Sequence, residues 1–205
     1  MSPRRLYEEE LKQLQESVEE MGMGVRATYA RLFSALQQQK ESVIEEIIAS
    51  DQSTHTLQRR IEGSCLNLIT KQQPIARDLR QISASLKVVT DISRIGDQCS
   101  DIAELVKRMH FKDLQEFSAH IPQMIEETGK QLTEAINAFV DRNAESAQHV
   151  VTGDDTVDDL FNQVKNDVIA HLRSEAKDPD DCIDVMMFAK YLEKIGDHAV
   201  NICEW

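Results

Sequence analysis

The sequence predicts an all-α protein made of two tandem three-helix bundles, six long helices related by internal duplication. Three observations predict it. The 205 residues include only seven glycines and four prolines, too few breaks for many short strands. Hydrophobic residues make up 41% of the chain but aromatics only 5%, so Leu, Ile, Val, Ala and Met must build the core. Finally, the apolar positions recur at steps of three and four, the spacing of a helix that buries one face.

The first helix runs from about Leu6 to Gln38, its stripe formed by Leu11, Leu14, Val18, Met21, Val25, Tyr29, Leu32 and Leu36. The second covers roughly Glu41 to Thr70 through Val43, Ile47, Leu57, Ile61, Cys65 and Leu68. Low helix propensity at Ser50-Asp51 predicts a bend there. Pro74 is placed in the first turn of a third helix, where its missing N–H costs nothing. That helix extends to about His110. Met109 to Pro122 reads as the connection to the second half. A fourth helix spans about Pro122 to Asp141, and Arg142-Asn143 marks a break. The fifth carries Val150, Val157, Leu160, Val164, Val168 and Leu172, with a kink predicted at Gly153-Asp154-Asp155. Lys177-Asp178-Pro179-Asp180 then signals a helix start, with Asp178 as cap and Pro179 at the first position. The sixth helix runs from there to Trp205.

The third and sixth helices match at an offset of 100 residues. Val88, Ile92, Ile95, Cys99 and Ile102 align with Phe188, Leu192, Ile195, Ala199 and Ile202. Ile95-Gly96-Asp97 aligns with Ile195-Gly196-Asp197, Arg94 with Lys194, and Asp101 with Asn201. The preceding helices agree at an offset of 103: Asp51 with Asp154, Leu57 with Leu160, Ile61 with Val164. Shared helical periodicity explains the apolar matches but not Ile-Gly-Asp at one phase. The repeats are therefore drawn at 1–112 and 113–205.

The formal net charge of -13 repels nucleic-acid phosphates and anionic lipid, so neither is expected as a partner over a large surface. Cations, or basic patches on other proteins, fit better. Cys65, Cys99, Cys182 and Cys203 form no C-x-x-C pair and sit in apolar helical patterns, as small buried hydrophobes do. The acidic start and the lack of a long apolar run predict a cytoplasmic protein with no membrane insertion.

In the third helix the seam residues step by four and three. Asp97 lies two residues past Ile95, about 200° around the helix, so it points away from that seam. Asp101 follows one turn later, and Glu193 with Asp197 makes a similar pair in the sixth helix. Carboxylates at i and i+4 repel by a few tenths of a kcal/mol unless a cation sits between them. Oxygen ligands suit magnesium, calcium, manganese and iron, and zinc tolerates them. Two carboxylates do not close a site, so further ligands must come from a neighbouring helix. Solvated surface acids are the plain alternative. Gly96 and Gly196, each costing about 1 kcal/mol in a helix, point to close approach by another helix. His198 reads as a surface or capping histidine. No Ser/His/Asp arrangement, phosphate-cradling loop or carboxylate dyad marks an enzyme.

These residues resemble the PhoU family. Tyr191-Leu-Glu-Lys-Ile-Gly-Asp-His-Ala-Val-Asn-Ile-Cys-Glu-Trp205 is similar to its C-terminal helix signature. Asp91-Ile-Ser-Arg-Ile-Gly-Asp-Gln-Cys-Ser-Asp101 is the first-half counterpart, and Gln73-Pro-Ile-Ala-Arg-Asp-Leu-Arg80 resembles the opening of the family's third helix. The resemblance implies paired three-helix bundles, often dimeric, in the cytoplasm. It implies a negative regulator of phosphate uptake and phosphate-starvation signalling, partnered by the phosphate ABC transporter ATPase and a sensor histidine kinase. Some members carry multinuclear iron or zinc clusters on an E(D)-x-x-x-D motif. That motif falls here on Asp97 and Asp101 and on Glu193 and Asp197, which are the expected metal ligands. Ser93 stands where the family usually has an acid, and Asn201 stands opposite Asp101, so the two sites are not equivalent. The chain also ends at Trp205, where the family usually continues for a short stretch.

Three other readings stay open on the residues themselves. They are a metal-binding or storage protein without a phosphate role, a metal-dependent hydrolase, and a structural helical adaptor with solvated acids.

Overall fold

The computed structural model describes residues 3–109, 111–153, 155–174 and 179–205. Among them are eight helices: α1 Pro3–Gln37, α2 Glu41–Gln72, α3 Ala76–Val106, α4 Phe111–Phe117, α5 Ile121–Asp141, α6 Ala144–Thr152, α7 Asp155–Ser174 and α8 Pro179–Glu204. The first bundle is α1–α3. In the second, α5 and α8 are the first and third helices, and α6 with α7 takes the place of the second.

Local chemistry explains where the helices stop. α2 keeps its helical hydrogen bonding from Glu41 to Gln72, without a break at the bend predicted for 50–51. It ends at Gln73, whose φ of 47° is left-handed and whose N–H donates to the Ile69 carbonyl. Pro74 therefore lies in a link rather than in a helix: extended Ile75 still separates it from α3. Arg142, also left-handed at φ 53°, closes α5, and Asn143 caps α6 by accepting from the N–H groups of Glu145 and Ser146. The single fifth helix of the prediction is two helices. The Thr152 hydroxyl donates to the carbonyls of Gln148 and His149, and the Gly153 N–H to those of His149 and Val150, so the last carbonyls of α6 are satisfied locally. Asp154 of the predicted kink, Asp178 of the predicted cap and His110 lie outside the described residues. The connection between halves also holds a helix the periodicity did not separate, α4, which buries Leu114 and Phe117.

α3 and α8 pack side by side at the centre. Val88, Ile92, Ile95, Cys99 and Ile102 from one, and Phe188, Leu192, Ile195, Ala199 and Ile202 from the other, are all at most 1% exposed. α1 and α2 cover α3, while α5, α6 and α7 cover α8, and α1 also meets α5. Phe33 of α1 reaches the Phe188 ring of α8 edge-on, with centroids 6.3 Å apart. One apolar cluster thus runs through both bundles. Among the described residues no helix is long and apolar enough to cross a membrane.

The glycines of the repeated Ile-Gly-Asp sit where a second helix comes close. A Cβ on Gly96 would lie 3.3 Å from Thr54 Cγ2 of α2, and one on Gly196 would lie 2.9 Å from Gln131 Oε1 of α5 and 3.4 Å from Val157 Cγ1 of α7. Thr54 and Val157 correspond at the same offset of 103. The next residues along, His55 and Asp158, are thereby brought to the polar faces of α3 and α8.

Candidate functional site

Each repeat turns a polar set from its third helix toward its second. In the second repeat one carboxylate oxygen from each of Asp158, Glu193 and Asp197 lies within 4.8 Å of the other two. Two of these, Glu193 and Asp197, are the pair expected from the sequence; Asp158 of α7 is the third group, supplied by a neighbouring helix. Its signal in the sequence was its place one residue after the apolar Val157, at the repeat offset from His55. Two lysines serve as counter-charges. Lys190 Nζ is 2.6 Å from Glu193, and Lys194 Nζ lies 3.4 Å from Glu193 and hydrogen-bonds Asp197. The Lys194 ammonium is held above the ordinary lysine pKa, mainly by the Asp197 hydrogen bond. Glu193 is well covered, its side chain 14% exposed. The donor set of three carboxylates fits a hard cation, which would have to displace the two ammonium groups.

The first repeat is different. Asp97 does turn off the apolar seam, as expected, but toward α2: His55 Nε2 is 3.1 Å from its Oδ1, and Arg94 Nη1 donates to its Oδ2 at 3.1 Å. The other ring nitrogen of His55, Nδ1, is 3.2 Å from Ser93 Oγ. Asp101 stands by Tyr191 across the α3–α8 seam. Burial first, then the Asp101 charge, push that phenol above its ordinary pKa.

His198, expected as a surface or capping residue, keeps its side chain 22% exposed but is paired across helices. Its Nδ1 is 2.9 Å from Asp91 Oδ1, and Asn201 donates to the same oxygen at 3.3 Å, which ties α8 to α3. Nothing in the periodicity signalled the facing carboxylate. The structure also assembles a Ser/His/Asp group that the sequence scan did not find. Ser118 Oγ donates to Asp167 Oδ2 at 2.6 Å, and His120 Nδ1 is 2.9 Å from that same oxygen. It is not a nucleophile relay. The serine is 3% exposed and gives its proton straight to the carboxylate, not to an imidazole base. It clamps the turn before α5 onto α7. Burial raises the Asp167 pKa, but the Ser118 and His120 hydrogen bonds and the charges of His120 and His171 outweigh it, and the net shift is downward.

A groove of about 660 Å³ lies elsewhere, lined by Lys12, Arg77, Phe139, Arg142 and Trp205 among others. None of the four expected ligands lines it. Of the cysteines, Cys65, Cys99 and Cys182 are buried as expected, while Cys203 is only half-buried.

Two fused three-helix bundles, each holding a polar set between its second and third helices, define a duplicated helical-bundle protein. Comparison with known proteins makes the class specific. The chain belongs to the PhoU family: the PhoU domain matches residues 18–106 and 121–205. It is 32% identical to a phosphate-specific transport system accessory protein PhoU homolog of Clostridium acetobutylicum, over 98% of this chain and 92% of that one. It is 29% identical to the PhoU homolog 1 of Methanothermobacter thermautotrophicus, over 98% and 93% of the two chains. Among crystal structures, PhoU from Pseudomonas aeruginosa superposes with a TM-score of 0.87 at 25% identity, covering 97% of this chain and 95% of that one. PhoU from Streptococcus pneumoniae gives the same score at 24% identity, covering 97% and 93%, and shows the shared fold.

Proposed function

We propose that this chain is a cytoplasmic accessory protein of a phosphate ABC transporter that represses phosphate uptake and phosphate-starvation signalling. The observation that carries the reading is the end-to-end match to phosphate-transport accessory proteins, over 98% of this chain and more than nine-tenths of theirs. It acts as an adaptor, as a homodimer, on the transporter ATPase or on a sensor histidine kinase. To bias either partner it must bind one of that partner's states more tightly than the other. The acidic chain, with a formal net charge of -13, suits work by contact with basic patches on a partner. The repeats are taken to span 1–112 and 113–205.

In this reading Asp158, Glu193 and Asp197 would hold a metal ion in the second repeat. The ion would supply positive charge and a cross-link between α7 and α8. Asp97 and Asp101 carry the same motif in the first repeat but face His55 with Arg94, and Tyr191, respectively. A storage role would need many more ligands than three carboxylates supply.

The deciding experiment is a phosphate-starvation reporter in a strain lacking this protein, grown with ample phosphate. The expected result is a reporter switched on despite the phosphate, and silenced again by the restored gene. A reporter that stays silent overturns the regulatory reading and leaves metal binding as the leading one.

A further inference from the structure

Four large apolar side chains stay exposed on the second repeat: Ile169 and Leu172 of α7, at 37% and 46%, and Ile183 and Met187 of α8, at 59% and 39%. The two helices run antiparallel, and three contacts fix their register. Val157 lies beside Gly196, Asp158 beside Glu193 and Asp197, and the Phe161 ring under the Lys190 ammonium, 5.3 Å from its centroid. Carried on, that register sets Ile169 level with Ile183. Helical steps of three and four join Asp158, Phe161, Lys165, Ile169 and Leu172 into one stripe on α7. The same steps join Asp197, Lys194, Lys190, Met187 and Ile183 on α8. One face of the pair is therefore acidic at one end and apolar at the other.

The fold does not ask for the apolar end. At the repeat offset Ile183 and Met187 correspond to Ser83 and Lys87, and a bundle of the same build accepts both. Leu66 and half-buried Ile69 stand for Ile169 and Leu172, so the α8 half is what sets the second repeat apart. Contiguous exposed apolar side chains mark a contact surface. The size of the patch selects its occupant. A stable face between two copies engages roughly 20–30 residues a side, whereas a single helix laid on a surface needs only a few anchors, at three- and four-residue steps. Charge selects the character of that helix. α7 and α8 hold ten carboxylates against four lysines and arginines, where α2 and α3 hold ten against seven. Such an acidic pair draws a basic segment and repels anionic lipid.

We propose that the exposed α7–α8 face docks a basic amphipathic helix of a protein partner, whose apolar side chains settle on Ile169, Leu172, Ile183 and Met187. A Lys or Arg of that helix, about eleven residues or roughly 16 Å further along, reaches the Asp158 end. That the docked partner is the one regulated rests on the adaptor reading given under Proposed function; the surface itself does not.

The test uses the full chain in cells. In a strain lacking the protein, the phosphate-starvation reporter is read with Ile183→Ser/Met187→Ser supplied in its place and, separately, with Ile169→Ser/Leu172→Ser. Circular dichroism of the purified variants checks the fold. Loss of two apolar anchors should weaken the contact by about a hundredfold, so each pair should leave the reporter on in ample phosphate. In the same strain a photo-reactive phenylalanine analogue in place of Ile183 is irradiated and the cross-linked fragment sequenced. The expected fragment is a partner segment with apolar residues at three- and four-residue steps and a Lys or Arg about eleven residues away. Either folded pair that still silences the reporter overturns the surface and leaves the regulatory reading standing. The surface is also overturned by no cross-link, or by one to a second copy of this chain, to lipid or to an acidic segment. A reporter that stays silent without the protein overturns the regulatory reading instead, and the cross-link then decides the surface by itself.

Discussion

Alanine in place of Gly129 should destabilise the protein, although the same substitution inside a free helix is worth about 1 kcal/mol in favour of alanine. Gly129 lies in the middle of α5, and a Cβ there would stand 2.8 Å from Tyr29 Cε1. Ordinary carbon contacts begin near ~3.5 Å, so the ring must retreat by about 0.7 Å. It has little freedom to do so. Tyr29 is 5% exposed, its hydroxyl donates to the Ile125 carbonyl at 2.7 Å, and the Phe33 ring sits 4.5 Å away, centroid to centroid. Overpacking of this kind costs about 1–3 kcal/mol, which leaves a net loss of about 1 kcal/mol after the propensity gain. For a chain of this size that lowers the melting temperature by about 2–4 °C. Gly63 is the control, because nothing lies within 4 Å of its Cβ position; Gly63→Ala should raise the melting temperature. Both are read by thermal melting followed at the helix circular-dichroism band. Tyr29→Phe releases the hydroxyl anchor, so Gly129→Ala should cost at least about 0.5 kcal/mol less in that background. If Gly129→Ala melts at or above wild type alongside Gly63→Ala, the close α1–α5 approach is not what holds glycine at this position.

Two further outcomes follow from the titratable groups. The net-lowered pKa of Asp167 means that its ionised form is favoured in the fold, so its contribution is present above the ordinary carboxylate pKa of 3.8 and fades as pH falls through the lower folded value. Asp167→Asn should therefore melt below wild type at pH 6, and the gap should close toward pH 2; a constant gap would contradict the clamp's ionic character. Burial pushes the Cys99 thiol up to about 12, and Cys65 and Cys203 up to about 11. At pH 8 a disulfide reagent should modify the native chain slowly, with half-buried Cys203 first, and all four thiols quickly in denaturant. Rapid native labelling of Cys65 or Cys99 would refute that order.

The long amphipathic helices were legible because their signal is redundant. In α1, Leu14, Val18, Met21, Val25, Tyr29, Leu32 and Leu36 all fall in the core, and a single misread position would not have moved the helix. Link geometry was less legible. Pro74 is compatible with a helix start, and only the left-handed Gln73 and extended Ile75 put it in a turn. The short α4 offered too few residues for a period to register. At the site, Glu193 and Asp197 could be read because they lie on one helix. Asp158 and His55 could not be assigned from their own helices, since what brings them in is the approach of α2 and α7 at Gly96 and Gly196. Pairings between distant segments, such as Asp91 with His198 and Asp167 with Ser118, leave no periodic trace at all.

The continuous core through α3 and α8 separates the holding of the fold from the chemistry of the outer faces. Ile92, Ile95 and Cys99 are sealed by apolar neighbours in an interior that both bundles share. The two polar sets can therefore differ, His55 and Ser93 standing opposite Asp158 and Glu193, while the interior beneath them is common to both.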